Sequence, residues 1–485
     1  MSMTSALSNA LSGLSAASRA ADLVSSNVAN ALTEGYGRRT LELSARSLAG
    51  AGGGVRIDAV RRQVDLGILS DRRTAEGVMA ASSVTEDFLA GLENVIGKPD
   101  DAWSLSGRLA GMEAAAISAA SLPESNARLS TLLRSATDLA KHIGSIGDHI
   151  QHSRTDADRQ IAGGVASIND ALGRIEKLNG EISVALFKGN DAASLMDLRQ
   201  QQVDRIAEWL PLREVPGDHG TIALFTPQGT TLLDGRASVL AFSPANVIIP
   251  EMSLASGALL GLTVNGLTVD ITGSNSTIAG GKMAAEFDLR DTLAVKAQTE
   301  LDAFARDLVE RFQSATADAT LTINDAGLFT DAGSLFDPSV EVGLSQRLVI
   351  NAAADPDRGG SLLRLRDGLL AGSPGPVGDG TGLHRLVAAL QASRPPASGL
   401  LSGISASAPG LAAGFLSIFA TDHQVAEADL TYASARFDTM KGLELQNGVD
   451  TDQEMQSLLL VEQAYSANAK VIQTVDNLLQ ALLEI

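Results

Sequence analysis

The chain has 485 residues, enough at roughly 150 per domain for about three domains and a sizeable buried core. It contains no Cys, which excludes disulfides, thiolate metal sites and cysteine nucleophiles. A formal net charge of -20, from 37 Lys and Arg against 57 Asp and Glu, sets the chain against a polyanion and makes nucleic acid a poor partner. Aromatics are only 4% of residues while hydrophobics are 45%, so the apolar material is small and aliphatic and suits helices meeting along Ala/Leu seams. No uninterrupted apolar stretch approaches the roughly 18 residues of a membrane span, and the first basic residue, Arg19, comes too late for a secretory n-region. The sequence reads as a chain without a membrane-inserted segment or a cleavable signal peptide, which leaves open export by a system that reads an uncleaved N-terminus.

From Thr4 to Ala31 apolar or small residues recur every seven positions: Leu7, Leu14, Ala21 and Val28 in one row, Ala10, Ala17, Val24 and Ala31 in another. The opposite end carries a matching seam, with Leu458, Tyr465, Ile472 and Leu479 in one row and Val461, Asn468, Val475 and Leu482 offset by three. Neither stripe is buried by its own helix, so each requires a partner. Charge favours the two as mutual partners, since residues 1–73 hold nine Arg and no Lys against six acidic residues, and residues 440–485 hold two Lys against seven. Asn468 in the second row is either a register-fixing polar residue within the seam or a solvated edge position.

Residues 125–187 read as long helices, with Leu132, Leu139 and Ile146 and then Ile161, Ile168, Ile175 and Ile182 at heptad spacing. Gly163-Gly164 interrupts them and predicts a kink or phase change. After Pro211 the period drops to that of strands over 221–225, 230–233 and 237–242, and Asn265-Gly266 between two apolar runs predicts a hairpin with a type I′ turn. Helical spacing returns from Lys282 to Phe312, mixed short segments follow to Ile350, and Pro- and Gly-rich residues 371–410 predict a loop or short turns. The fold class is mainly α with inserted β segments, discontinuous and multidomain, with terminal helices pairing as a coiled coil. The expected divisions are 1–65, an axial helix with a Gly-rich loop region; 66–210, a helical bundle; 211–281, a β-rich insertion; 282–430, a helical return with a loop-rich outer segment; and 431–485, a second axial helix.

Little of this points to catalysis. His149 and His152 are an i,i+3 pair able to share a metal, but Asp148, Gln151 and Arg154 around them read as a solvated helix face. There is no HExxH and no GxSxG. Gly50-Ala51-Gly52-Gly53-Gly54 lacks the preceding strand, following helix and Lys of a phosphate loop, and reads as a flexible loop. Arg38-Arg39, Arg61-Arg62 and Arg72-Arg73 are the non-random charge pattern; they are either solvated doublets or contacts to an acidic neighbour. No catalytic, metal or cofactor residue is nominated, and no enzyme activity is expected.

The segment from Gly13 to Asn30, ending Ser26-Asn27-Val28-Ala29-Asn30 and followed by Thr33-Glu34-Gly35-Tyr36-Gly37-Arg38-Arg39, resembles the N-terminal pattern of the bacterial flagellar rod, hook and hook-associated family. Gly448-Val449-Asp450, Glu454-Met455 and the run Glu462 to Thr474 resemble its C-terminal pattern. Leu178 to Ile182, Asp197-Leu198-Arg199-Gln200-Gln201, Gly280-Gly281-Lys282 and Asp288 to Asp291 resemble members at the hook–filament junction; the family more usually has Gln where Arg39 stands. The resemblance implies a structural subunit exported through the flagellar type III apparatus, extracellular at the hook–filament junction and required for filament assembly. It implies as partners further copies of itself in a ring, the hook protein, the next hook-associated junction protein and an export chaperone. The alternatives are a distal rod or hook protein of the same family or, in another class, a secreted hydrolase with an axial tail. Seams and resemblance together nominate Leu7, Leu14, Asn27, Asn30, Gly35, Tyr36, Leu458, Tyr465, Asn468, Ile472 and Leu479 as an assembly interface.

Overall fold

The computed structural model describes residues 3–48, 51–273 and 276–483. It begins with helix α1 (Met3–Ala29), a long hairpin of β1 (Arg38–Leu48) and β2 (Ala51–Gln63), and α2 (Leu66–Ile96), α3 (Leu105–Ser121), α4 (Asn126–Phe187) and α5 (Ala193–Trp209). A β module follows: β3 (Arg213–Pro216), β4 (Ile222–Phe225), β5 (Thr231–Asp234) and β6 (Arg236–Ala237) form one antiparallel sheet, and β7 (Leu240–Ala241), β8 (Thr263–Val264) and β9 (Leu267–Thr268) another. Helices α6 (Lys282–Asp288) and α7 (Ala294–Phe312) lead to short elements: β10 (Phe329–Asp331), α8 (Leu344–Arg347), β11 (Leu348–Ile350), α9 (Arg364–Asp367) and α10 (Thr381–Gln391). The last two helices are α11 (Ala408–Gln446) and α12 (Thr451–Leu483). Helix α11 runs unbroken across residue 431, where the sequence reading begins the second axial segment.

Helix α4 is the spine. At about 1.5 Å per residue its 62 residues span some 90 Å. Its first half, Leu129 to Ala157, is buried with α2, α3, α7, α10 and α11 in one core. Its second half, Ile161 to Ile175, is buried with α5, α6 and the β module in another. Two asparagines fasten the module to this half. Asn169 donates to Leu240 O (2.7 Å) and accepts from Leu240 N (2.9 Å), while Asn179 donates to Ile222 O (2.9 Å) and accepts from Ile222 N (3.2 Å). Each amide thus answers both backbone groups of a strand residue that would otherwise be left unpaired. Between the two cores lies a buried charge cluster: Arg290 pairs with Asp158 (2.6 Å), and Arg154 donates to the carbonyls of Arg290, Ile249 and Met252.

Four sequence expectations need correction. The helix face around His149 and His152, read as solvated, buries Gln151 and Arg154. Gly163-Gly164 does not kink α4; the helix is continuous because Gly164 lets Trp209 of α5 lie against its backbone, an added Cβ falling 2.5 Å from Trp209 Cε3. The Gly-rich run is no loop from Ala51 onward, but the start of β2, which pairs with β1. There Gly54, at φ 90°, passes so close to α1 that a Cβ would meet Ser12 Oγ, and the same Ser12 accepts from Val55 N (3.1 Å). Residues 371–410 contain α10, whose Leu383, Leu386 and Leu390 fill the larger core. The hairpin at Asn265-Gly266 forms as read, with φ 51° and 81° at its two turn residues.

The two adjacent glycines give a paired prediction. Gly163→Ala, whose Cβ meets nothing within 4 Å, should raise stability by about 0.5–1 kcal/mol, whereas Gly164→Ala should lower it by about 1–3 kcal/mol through overpacking against Trp209. Urea midpoints of the two variants check this; equal shifts would contradict it.

Candidate assembly joint at the chain ends

Helices α1 and α12 pair antiparallel. Asn27 meets Glu454 near one end of the pair and Gly13 meets Asn468 farther along it, so a single register holds from one contact to the other. Gly13 is what admits Asn468, since a Cβ there would sit 2.7 Å from Asn468 Oδ1. Asn468 therefore lies in the seam, not at a solvated edge. Ala10, Ala17 and Val24 of the second α1 row are buried against α12 and the hairpin, and Val475 is the apolar residue of α12 that is fully buried.

A polar knot closes the base of the pair. The Asn27 side chain, 1% exposed, donates to Arg39 O (2.9 Å) and to Glu454 Oε2 (3.1 Å). Its oxygen accepts from Tyr36 OH (2.9 Å) and Arg39 N (3.0 Å). The other Glu454 oxygen takes Arg38 Nε at 2.7 Å. Burying this polar set is tolerable because nearly every donor and acceptor in it is answered.

A second layer ties the knot to the body. Asp197 of α5 accepts from Gly37 N (3.0 Å), Arg39 (2.9 Å) and Arg62 (2.6 Å). The Arg39 guanidinium also lies 4.9 Å over the Tyr36 ring. Gln200 accepts from Arg62, and Gln201 donates to Glu34 O (2.9 Å). This close approach accounts for two glycines. Gly35 has φ 77°, and a Cβ on it would fall 2.8 Å from Gln201 Cγ, while one on Gly37 would fall 2.5 Å from Arg62 Nε. Farther up α2, Arg72 pairs with Glu76, Asp204 and Glu444, and Arg73 with Asp204 and Glu214. Burial pushes the Glu76 and Glu444 carboxyls up, against the pull of Arg72. The Arg doublets thus contact acidic neighbours, and those acids belong to the same chain.

Of the nominated residues, the structure brings Asn27, Gly35 and Tyr36 into the knot region. Asn30 turns back on its own helix, donating to Ser26 O (2.8 Å). Leu7, Leu14, Leu458, Asn468 and Ile472 are half-buried, while Tyr465 and Leu479 stay exposed. Around them Leu11 of α1 and Leu459, Leu460, Leu478 and Leu482 of α12 are each at least half exposed, leaving an apolar stripe along the pair. Sequence reasoning assigned no role to Glu454 or Asp197, although both lie in quoted motifs. The available signal was an acid within each motif set against unpaired Arg doublets.

Comparison with known proteins finds similarity at both ends and in the middle of the chain. Residues 7–36 match the family described as flagella basal body rod protein, 89–328 the flagellar hook-associated protein FlgK helical domain, and 445–485 the flagellar basal body rod FlgEFG protein C-terminal. Both ends and the helical middle of the chain are thus similar to the flagellar rod, hook and hook-associated family. It is similar to flagellar hook-associated protein 1 of Salmonella typhimurium and of Salmonella typhi, 29% identical over 285 residues, covering 54% of this chain and 51% of each relative. The protein of the same name from Escherichia coli K12 is 25% identical over 285 residues, covering 54% and 52%. The chain spans about half the length of the curated relatives it matches. Among solved structures, the flagellar hook junction protein FlgK from Burkholderia pseudomallei aligns with a TM-score of 0.45 at 18% identity, over 54% of this chain and 46% of that one, a likeness too low to bear on the fold.

The joint yields two predictions. Asp197→Ala removes the shared acceptor of Gly37, Arg39 and Arg62, and should cost about 3 kcal/mol and speed amide exchange across residues 38–63; unchanged exchange there would contradict the tie. The second concerns His423 of α11, which hydrogen-bonds Glu93 (2.6 Å) and faces Glu86 on α2. The Glu93 hydrogen bond, helped by Glu86, holds its imidazolium above the ordinary 6.5 despite some burial. A raised folded value means the stabilisation is complete below the unfolded value of about 6.5 and is lost as pH rises from there through the higher folded value. Stability measured from pH 6 to 9 should therefore fall less steeply in His423→Gln.

Proposed function

We propose that this protein is a structural subunit of the bacterial flagellum that joins hook to filament and works by helix packing without chemistry. The observation that carries this reading is the exposed apolar stripe on the paired terminal helices, which neighbouring copies would cover. The names of the relatives support it, and the match to a hook-associated helical domain favours a junction subunit over a distal rod or hook protein. Its partners in this reading are other copies of itself in a ring, the hook protein, the next hook-associated protein and an export chaperone, and its place is outside the cell. Among the described residues no helix is long and apolar enough to cross a membrane, and no group of three or more His, Asp or Glu is placed to hold a metal. The axial segments 1–65 and 431–485 would line the inner tube, with the intervening parts outside it.

Charges on the stripe test this directly. Leu459→Glu with Leu478→Glu, both at exposed positions, should leave the melting temperature of the isolated chain nearly unchanged. Cells carrying the double variant should show hooks without filaments by electron microscopy, with filament protein released into the medium. Normal filaments would overturn the proposal.

A further inference from the structure

A cleft of about 690 Å³ opens where α2, α4, α5, α6 and α11 converge. Carboxylates reach it from four of these helices: Asp87 from α2, Asp156 from α4, Glu208 from α5 and Glu286 from α6. Helix α11 contributes the uncharged Leu430 and Ser434. Three of the acids are already engaged. Ser83 donates to Asp87 (3.2 Å), Arg159 pairs with Asp156 (2.7 Å), and Lys282 lies 3.6 Å from Glu208. Lys282 is the cation in the lining, and it is held at the edge with its Nζ 4.8 Å over the Trp209 ring.

Glu286 differs from the others. It is only 5% exposed, it lines the cleft, and it makes neither a hydrogen bond nor an ion pair with any described residue. Most of the side chain is shielded, which makes its charged form costly, while its carboxylate oxygens are not among the sealed unpaired atoms and open onto the cleft, where a cation would answer them. Burial, with Asp87 adding to it and Lys282 opposing, pushes its pKa up to about 7. The mixed lining also carries apolar groups, Met79 and Val84 of α2, Leu430 of α11 and Leu289. A metal ion is a poor fit, since no three ligand side chains converge here among the described residues.

We propose that this cleft receives an alkylguanidinium or alkylammonium group, the end of an Arg or Lys side chain presented by a partner protein, with Glu286 and Asp87 facing its charge. The methylene stem of such a side chain suits the Met79 and Val84 wall, and a charge-assisted bond satisfies the carboxylate that the fold leaves alone. This reading is independent of the flagellar placement, because it follows from the cleft and its unanswered acid.

Calorimetric titration of the full chain tests it, with a blocked Gly-Gly-Arg-Gly-Gly peptide and with agmatine as probes at constant ionic strength. The peptide should bind about tenfold more tightly at pH 8 than at pH 5.5, because Glu286 is ionised only above about pH 7. Glu286→Gln should weaken binding about tenfold at pH 8 and remove the pH dependence, and Asp87→Asn should weaken it less. The Gln variant should itself melt higher than the parent at pH 8 and close to it at pH 5, since it removes a buried charge that forms only at the higher pH; this shows that it folds. Binding unchanged in Glu286→Gln, or mimicked by NaCl at equal ionic strength, would overturn the proposal. Binding of agmatine without the peptide would overturn the side-chain source.

Discussion

The side chain of Asn27 ties the two terminal helices to each other and to the hairpin. It bonds a residue 427 positions away in sequence, and all of its hydrogen-bonding capacity is spent on Arg39, Tyr36 and Glu454. Every other feature of the axial pair follows from that fixed point. With Asn27 set against Glu454, the antiparallel register brings Asn468 over Gly13, and a slip along the seam would leave Glu454 and Arg38 buried without partners. Apolar seams built from Leu and Ala tolerate sliding, whereas a buried carboxylate with specific partners does not.

The second helix pairing repeats the principle. Helix α11 lies antiparallel along α2, pinned by Arg72–Glu444 at one end and by His423–Glu93 at the other. Because α11 leads directly into α12, the same two helices that build the body carry the chain into the axial pair. The turn between them at Asn447-Gly448 is short, and Asp450 caps α12 by accepting from Asp452 N and Gln453 N. Orientation of the axial pair is thus set by charged groups lodged on rigid elements, and the hairpin is a strut held from both sides by Arg39 and Arg62 on a single aspartate.

What could be read from sequence was whatever repeats. The heptads of α1, α4 and α12 and the Asn265-Gly266 turn leave periodic or dipeptide traces, and helices and a turn form there, although Tyr465 and Leu479 of the α12 row stay exposed. What could not be read depends on contacts between distant residues. Gly164 looks like a helix breaker until Trp209 is seen lying on it, and the Gly-rich run looks like a loop until α1 is seen pressing on Gly54. The segment from 313 to 407 is harder still, because much of its backbone is satisfied by single arginines. Arg311 alone donates to the carbonyls of Ala389, Ala392 and Ala406, and such pairing has no period. Which Arg doublet meets which acid leaves no local pattern either, the partners being 131 to 416 residues distant in the cases of Asp204, Asp197 and Glu454.

The continuity of α4 carries one more consequence. Both hydrophobic cores are built on it, and between Ala157 and Ile161 there is no loop, proline or solvated break where one core might melt while the other persists. Fraying α4 in either half strips the other of its wall, and the buried Arg290–Asp158 pair sits at the boundary, where separation would expose both charges at once. The two cores of the body are thus coupled through one helix and one buried ion pair, whereas the axial pair and the hairpin carry few buried apolar residues and are the parts most open to local unfolding.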